Sequence, residues 1–208
     1  MVTREAATAE PGTGSLRERN RARTREDIET AALELMERQG YQATTVEDIA
    51  RLAGVSSATF FRYFPAKEDV LFATERSAAE RMIELVARRA DRAQTLGALA
   101  APVTAFAEEI LSETGSRSHR LTRLVMTTPE LAGRSMRMRL RWENGLARQL
   151  AGESGTEEPG LAQVLAAKLA VSCLAAALWQ WQRGDSPASI ASDTRRAFAV
   201  AADLAAAP

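Results

Sequence analysis

The chain has 208 residues, of which 46% are hydrophobic and 26% are charged. This composition predicts a packed core with room for a smaller second module, and it excludes a wholly disordered, collagen-like or disulfide-stapled chain. The 27 basic and 27 acidic residues cancel, so any nucleic-acid binding must come from where the charges are placed. A single cysteine, Cys173, and an N-terminus without a secretory leader predict a cytoplasmic protein.

The chain opens with a tail and a basic arm. Residues 1–15 are rich in Ala, Thr, Gly and Glu, and they predict a disordered tail. Residues 16–25 form an arm of alternating arginines, of which the candidate phosphate contacts are Arg17, Arg19, Arg21 and Arg23. Alternating residues cannot all share one face of a helix, and a run of this kind can equally be a solvated segment.

Three helices are predicted next. Apolar residues recur at helical spacing over 24–39. A second, short helix is expected over 45–54 and a third over 56–64, and their N-caps would be Thr45 and Ser56.

The remainder predicts six more helices, over 67–91, 95–114, 117–127, 129–151, 159–183 and 187–205. No stretch alternates with period two between hairpin turns, so we predict an all-α fold of about nine helices. The segment 161–181 is apolar for about the length of a bilayer span, but Lys168 interrupts it and much of the rest is alanine. We therefore expect burial against a second copy of the chain and no membrane partner.

Residues 45–64 carry the strongest functional signal. Ala50 is small where a second helix has to pass closely, Gly54 can adopt a positive φ at the turn, and Val55 can fill the corner. This is the pattern of a helix-turn-helix, whose second helix enters the major groove of DNA N-terminus first.

Within the third helix, Phe60 and Phe64 lie four residues apart and are expected in the core. The candidate DNA-binding residues are Thr45, Ser56, Ser57, Thr59, Phe61, Arg62 and Tyr63. Only Arg62 could make a bidentate contact with guanine, and the serines could donate to phosphate. The two remaining aromatic residues could pack on sugars or a thymine methyl group, or fill the core instead.

Residues 24–72 resemble the DNA-binding domain of TetR-type transcriptional regulators. The match runs through QGY at 39–41, TTVEDIA at 44–50, GVS at 54–56 and TFFRYFPAKE at 59–68. The resemblance implies DNA contacts, mostly to the backbone, from Thr59, Phe61, Tyr63 and Lys67, and an arm that follows the minor groove. Two positions depart from the family pattern, because Tyr63 stands where His is frequent and Ala66 replaces the usual Ser or Asn cap.

The resemblance also implies the domain organisation. Residues 16–70 would form the DNA-binding domain, and 71–208 would form a helical bundle for ligand binding and dimerisation. The last two helices would build a four-helix bundle with a second subunit, and a ligand cavity would lie among the middle helices.

The segment 129–150 predicts the chemistry of the effector. One helical face carries Leu131, Met138, Trp142, Leu146 and Leu150, and another carries Arg134, Arg137, Arg141 and Arg148. Such a pattern is typical of a core side and a wet side, or of an apolar pocket with a basic mouth for an acyl chain bearing a phosphate-rich head group. FFRYFP at 60–65, together with PEL at 129–131 and WExxLA at 142–147, is similar to a TetR subgroup that senses acyl-CoA-like ligands. Candidate ligand contacts, each also a reasonable core residue, are Phe106, Met126, Trp142 and Trp179.

Enzymatic function is disfavoured. His119 is the only histidine, and neither a metal-ligand spacing nor a glycine-rich phosphate loop is present, so we predict no catalytic residues, metal or cofactor. We predict a ligand-released repressor that binds a palindromic operator as a homodimer. The alternative is an all-α protein-interaction adaptor with a vestigial helix-turn-helix, which specific retention of short DNA would distinguish.

Overall fold

The computed structural model describes residues 16–112, 116–183 and 189–206, so the predicted disordered tail lies outside the described residues. The described ranges contain no strand and nine α-helices: α1 (Leu16–Gln39), α2 (Val46–Leu52), α3 (Ser57–Tyr63), α4 (Glu75–Ala87), α5 (Leu96–Ser112), α6 (Ser116–Thr127), α7 (Ala132–Glu153), α8 (Leu161–Trp181) and α9 (Ile190–Ala206). The all-α prediction is confirmed. The chain divides into two compact units, Met1–Val70 and Leu71–Pro208.

The first unit is a three-helix arrangement in which α2 packs on both α1 and α3. Its core consists of apolar side chains at helical spacing, including Ile28, Ala32, Leu35, Met36, Ile49, Phe60 and Phe64. Both predicted N-caps are confirmed, because the Thr45 hydroxyl accepts the Asp48 amide at 3.1 Å and the Ser56 hydroxyl accepts the Thr59 amide at 3.1 Å. These bonds satisfy amides that have no partner inside such short helices.

The prediction that the basic segment precedes the first helix is wrong, because α1 begins at Leu16. Arginine, leucine, alanine and glutamate are good helix formers, so the arm extends the amphipathic helix by two turns. Thr24, which we expected near the helix start, donates its hydroxyl hydrogen to the Asn20 carbonyl at 2.9 Å. That bond to the residue four positions earlier is typical of a threonine in a helix interior.

The predicted continuous helix over 67–91 is also wrong. A 3₁₀ turn, Lys67–Val70, comes first, and α4 begins only at Glu75. The Ala66 amide donates to the Asp69 carboxylate at 3.0 Å, which closes the turn in place of the missing cap. Lys67 is held by other parts of the first unit, since its ammonium donates to the Tyr41 carbonyl at 2.8 Å. Tertiary contacts therefore end this turn before it can propagate as an α-helix.

The second unit is built around α8, which packs against α5, α7 and α9, while α4 packs against α5 and α7. Its core includes Leu99, Val103, Phe106, Leu146, Leu150, Val171 and Leu174. Buried alanines on α8, among them Ala167 and Ala170, allow the neighbouring helices to approach closely.

By length and composition alone, α8 could cross a membrane. Its buried face nevertheless packs within the second unit, and Lys168 near its middle donates to the Glu143 carboxylate of α7 at 2.8 Å. Arg139 binds the same carboxylate at 2.9 Å and also donates to Ser172 of α8 at 2.7 Å. These polar contacts connect α8 to α7, so α8 packs as a core helix of the second unit.

Candidate DNA interface and effector cleft

The turn between α2 and α3 redirects the chain over three residues. Gly54 has φ +68°, and a Cβ added there would meet nothing within 4 Å, so glycine is favoured for its backbone conformation. The Val55 amide donates to the Ala50 carbonyl at 2.9 Å and fixes the corner. The small, buried Ala50 side chain leaves space where the two helices cross.

The rotation of α3 about its own axis is set by two buried rings. Phe60 and Phe64 are in the core with ring centroids 5.8 Å apart, and Phe61 meets Phe60 edge-on at 5.6 Å. Phe61 is nevertheless 52% exposed, and Arg62 is exposed beside it. The buried pair thus turns the opposite face of α3, with Arg62, toward solvent.

The hydroxyl groups at the candidate interface differ in whether their hydrogen is available for a bond to DNA. The Thr45 hydroxyl both accepts from the Asp48 amide and donates to the Asp48 carboxylate at 2.7 Å. Ser56 donates to the Thr59 hydroxyl at 3.0 Å, which leaves the Thr59 hydrogen available for a phosphate oxygen. Ser57 lies half-buried in the first turn of α3. Of the predicted hydroxyl contacts, Ser57 and Thr59 therefore keep a hydrogen for donation to DNA, since those of Thr45 and Ser56 are already donated within the described residues.

Charge at this surface is carried by arginine. Arg51 is neutralised by Asp48 at 2.7 Å, and the hydrogen bonds that Asp48 receives from Thr45 and Arg51 hold the pKa of its carboxyl below the ordinary value. Arg62 has no ion pair in the part of the chain that the structure describes, and its guanidinium lies 5.6 Å from the Tyr63 ring. Tyr63 is half-buried. Arg62 is therefore the uncompensated cation of α3.

The other predicted DNA contacts lie elsewhere in the first unit. Lys67 donates to the carbonyls of Tyr41 and Thr44 at 2.8 and 2.9 Å, so only its third N–H remains for a phosphate. All four candidate arm residues are exposed on the first two turns of α1: Arg17, Arg19, Arg21 and Arg23. Because residues two apart on a helix point about 200° apart, the four divide into two pairs on opposite sides.

The second unit contains a cleft of about 610 Å³ between α4 and α7. Its charged lining residues are Glu75, Arg76, Glu80, Arg134, Arg141 and Arg148. With four cations and two anions, this lining has a formal charge of +2. A Cβ added at Gly145 would approach Ile83 Cδ1 to 2.9 Å, so the two helices are in close contact at this point.

The four ligand candidates from the sequence do not line this cleft. Phe106 and Trp142 do lie together, edge-on with ring centroids 5.5 Å apart, and the buried indole N–H has no hydrogen-bond partner among the described residues. Met126 and Trp179 are instead on the surface, 40% and 51% exposed, and Trp179 stacks on Arg183 at 4.6 Å.

Three of the four α7 arginines predicted from the sequence line the cleft, and Arg137 does not. The α4 side of the cleft was not predicted. Glu75 gave only the weak signal of an acidic residue that favours a helix start. For metals, the described residues include no group of three or more His, Cys, Asp or Glu that could hold an ion.

Comparison with known proteins finds a family match for each half of the chain. Residues 28–74 match the family described as bacterial regulatory proteins, tetR family, and residues 93–205 match the MftR C-terminal domain. The chain is a TetR-family transcriptional regulator. The resemblance inferred from the sequence is confirmed, and regulators of this family bind operator DNA as dimers and respond to small molecules, with repression as the typical role.

Named relatives agree with this assignment. The regulator is 30% identical over 168 residues to a protein named as mycofactocin biosynthesis transcriptional regulator MftR of Mycobacterium tuberculosis, covering 81% of this chain and 84% of that protein. It is 32% identical over 152 residues to the HTH-type transcriptional regulator TcmR of Streptomyces glaucescens, covering 71% and 67%.

Solved structures share the fold at lower identity. FadR of Bacillus subtilis in complex with stearoyl-CoA has a TM-score of 0.59 at 23% identity, covering 84% of this chain and 96% of that chain. A complex of SmeT with triclosan has a TM-score of 0.61 at 21% identity, covering 87% and 90%.

Proposed function

We propose that the regulator is a cytoplasmic repressor that binds a palindromic operator through α3 and is released by an amphipathic anion of the acyl-CoA class. The observation that carries the effector assignment is the α4–α7 cleft, whose lining has a formal charge of +2. DNA binding, dimer formation and effector binding are each supported by a different surface of the molecule.

DNA binding is supported by the exposed face of α3. Arg62 supplies an uncompensated guanidinium, Thr59 a hydroxyl hydrogen and Phe61 an exposed ring, all within the seven residues of α3, whose start is capped by Ser56. Such a helix N-terminus can enter the major groove, where arginine reads guanine and hydroxyls bind phosphate. The arginines of the first α1 turns add a sequence-independent attraction to the phosphate backbone.

Dimer formation is supported by apolar stripes on the last two helices. Leu161, Leu165 and Leu169 of α8 follow one another at four-residue spacing and are exposed, and Val200 and Leu204 do the same on α9. A contiguous exposed apolar stripe marks an interface, and a two-fold axis pairs the same surface of both subunits. A dimer of this kind would present two recognition helices to half-sites about 34–36 Å apart.

Effector binding is supported by the size and charge of the cleft. A volume of about 610 Å³ is within the usual range for ligand sites, roughly 300–1,000 Å³. Guanidinium groups match phosphate oxygens in a bidentate manner, whereas a neutral ligand would gain little from them. The FadR complex with stearoyl-CoA shares the fold at 23% identity and supports the same ligand class.

The test has two stages. Selection from random DNA should first recover a palindrome, and fluorescence anisotropy on that DNA should then show release by stearoyl-CoA below its micellar concentration. Stearate should release the DNA less well, because it lacks the phosphates. Failure to recover a palindrome would contradict the operator assignment. Recovery of one that stearoyl-CoA and shorter acyl-CoAs leave bound would contradict the effector class only.

A further inference from the structure

The carboxylate of Glu75 forms ion pairs with two of the cleft arginines. Glu75 is the first residue of α4, and its side chain is only 9% exposed. Arg134 approaches one carboxylate oxygen at 3.4 Å, and Arg141, one helical heptad further along α7, lies against the other. Arg134 is also placed 5.4 Å from the Phe72 ring. Two guanidinium groups of α7 thus converge on a single anion of α4.

An incoming polyanion would bind the same two guanidiniums. Arg134, Arg141 and Arg148 are spaced by seven residues along α7 and all line the cleft, so the row extends roughly 21 Å at about 1.5 Å per residue. Arg148 has no ion pair within the described parts of the chain. A row of this length suits a head group with several phosphates better than a single carboxylate, and Glu75 occupies only one end of it.

The two ends of α4 are held differently. At its C-terminal end, the buried Arg89 donates to the Val86 carbonyl at 2.8 Å and to Glu153 of α7 at 2.9 Å. At its N-terminal end, the capping residue Thr74 makes no side-chain cap hydrogen bond, and the ion pairs of Glu75 are the side-chain contacts that link the first turn to α7 in the described residues. Along the chain, Glu75 follows the last residue of the DNA-binding unit, Val70, by five positions.

We propose that Glu75 is an internal occupant of an anion subsite formed by Arg134 and Arg141, and that the phosphates of the effector displace it. Displacement releases the first turn of α4, while the opposite end of that helix stays attached to α7. Since this turn begins five residues after the DNA-binding unit in the chain, effector and operator binding oppose each other through it. The inference rests on the proposed function, because it requires an anionic effector in the cleft.

The decisive variant is Glu75→Gln, which keeps the size of the side chain and removes its charge. We expect it to bind stearoyl-CoA about tenfold more tightly and the selected operator about tenfold more weakly than the wild type, within the usual range of coupling between two sites. Glu84→Gln is the matched control. It removes the same charge from the same helix, where Glu84 also pairs with two arginines, Arg81 and Arg88, but lies outside the cleft. We expect both affinities of this control to stay within about twofold of the wild type.

A second variant protects the test if Glu75→Gln does not fold. The Arg141 side chain is half exposed, so Arg141→Gln should leave the circular dichroism spectrum unchanged. It should weaken stearoyl-CoA binding at least tenfold and also weaken operator binding, because one of the two ion pairs to Glu75 is lost. A folded Arg141→Gln protein with both affinities unchanged would overturn the proposal.

Thermodynamic linkage between operator and stearoyl-CoA binding tests the role of Glu75 separately from the effector class. In the wild type, operator DNA should weaken stearoyl-CoA binding by the same factor by which stearoyl-CoA weakens operator binding, and this factor should shrink in Glu75→Gln. If the wild type shows the coupling and Glu75→Gln behaves like Glu84→Gln, the role of Glu75 is wrong and the effector class stands. If the wild type binds the operator but not stearoyl-CoA, the effector class is wrong, and the role of Glu75 falls with it.

Discussion

Replacing Arg62 with alanine removes the uncompensated guanidinium of α3, and we expect the loss to appear in DNA binding and hardly at all in stability. Arg62 is exposed, and its one described contact is the Tyr63 ring at 5.6 Å. An exposed cation–π contact is worth about 0.5–1 kcal/mol, which corresponds to a melting shift of only a few degrees in a chain of this size. A bidentate guanine contact is worth about 1–3 kcal/mol, or roughly a 5- to 150-fold loss of operator affinity.

Arg62→Lys distinguishes base reading from attraction to phosphate. Lysine keeps the charge but lacks the planar fork, so a guanine contact is weakened in both variants, whereas a phosphate contact is weakened mainly in Arg62→Ala. Anisotropy titrations on the selected operator and on single-base variants of it measure both effects. Base reading predicts that preference at one operator position disappears while the salt slope stays nearly constant. Unchanged preference at every position, with a salt slope lowered by about 0.9, would refute base reading by Arg62.

Three further predictions concern the arm, the dimer and pH. Replacing Arg17, Arg19, Arg21 and Arg23 with glutamine should weaken binding to all DNA sequences alike. Because only one pair of these arginines faces a given surface, the salt slope should fall by about 1.8, from two contacts at about 0.9 each. A fall near 3.6 in salt titrations would instead mean that all four arginines contact phosphates. Leu165→Glu, at a position 52% exposed on α8, should give a monomer by sedimentation and lose operator binding, whereas Leu140→Glu on the exposed surface of α7 should do neither. Burial opposes ionisation of Glu143, but hydrogen bonds from Lys168 and Arg139 outweigh it and lower the pKa of this carboxyl below the ordinary 4.5. Its contribution to stability is therefore complete above about pH 4.5 and is lost as the pH falls through the lowered pKa, so melting scans from pH 7 to 3 should show a steeper loss for the wild type than for Glu143→Gln.

The sequence by itself determined the helix-turn-helix, because each of its requirements is met within a few residues. The caps at Thr45 and Ser56 bond to amides three positions on, and Gly54 supplies the one positive φ that the turn needs. The spacing of Phe60 and Phe64 decides which face of α3 is buried, and therefore that Arg62 is exposed. Capping, backbone conformation and helical periodicity are local properties, so they can be inferred from the order of residues alone.

Tertiary structure decided where the fourth helix begins and which groups meet in the cleft. The Lys67 ammonium is bound by carbonyls 23 and 26 residues earlier, and these contacts hold a 3₁₀ turn where local pattern predicted a continuous helix. Periodicity placed Arg134 and Arg141 on one face of α7, but their shared partner, Glu75, lies about 60 residues away on α4. Which distant charges meet depends on how the helices pack, and packing is settled by the whole core and not by the neighbours of any one residue.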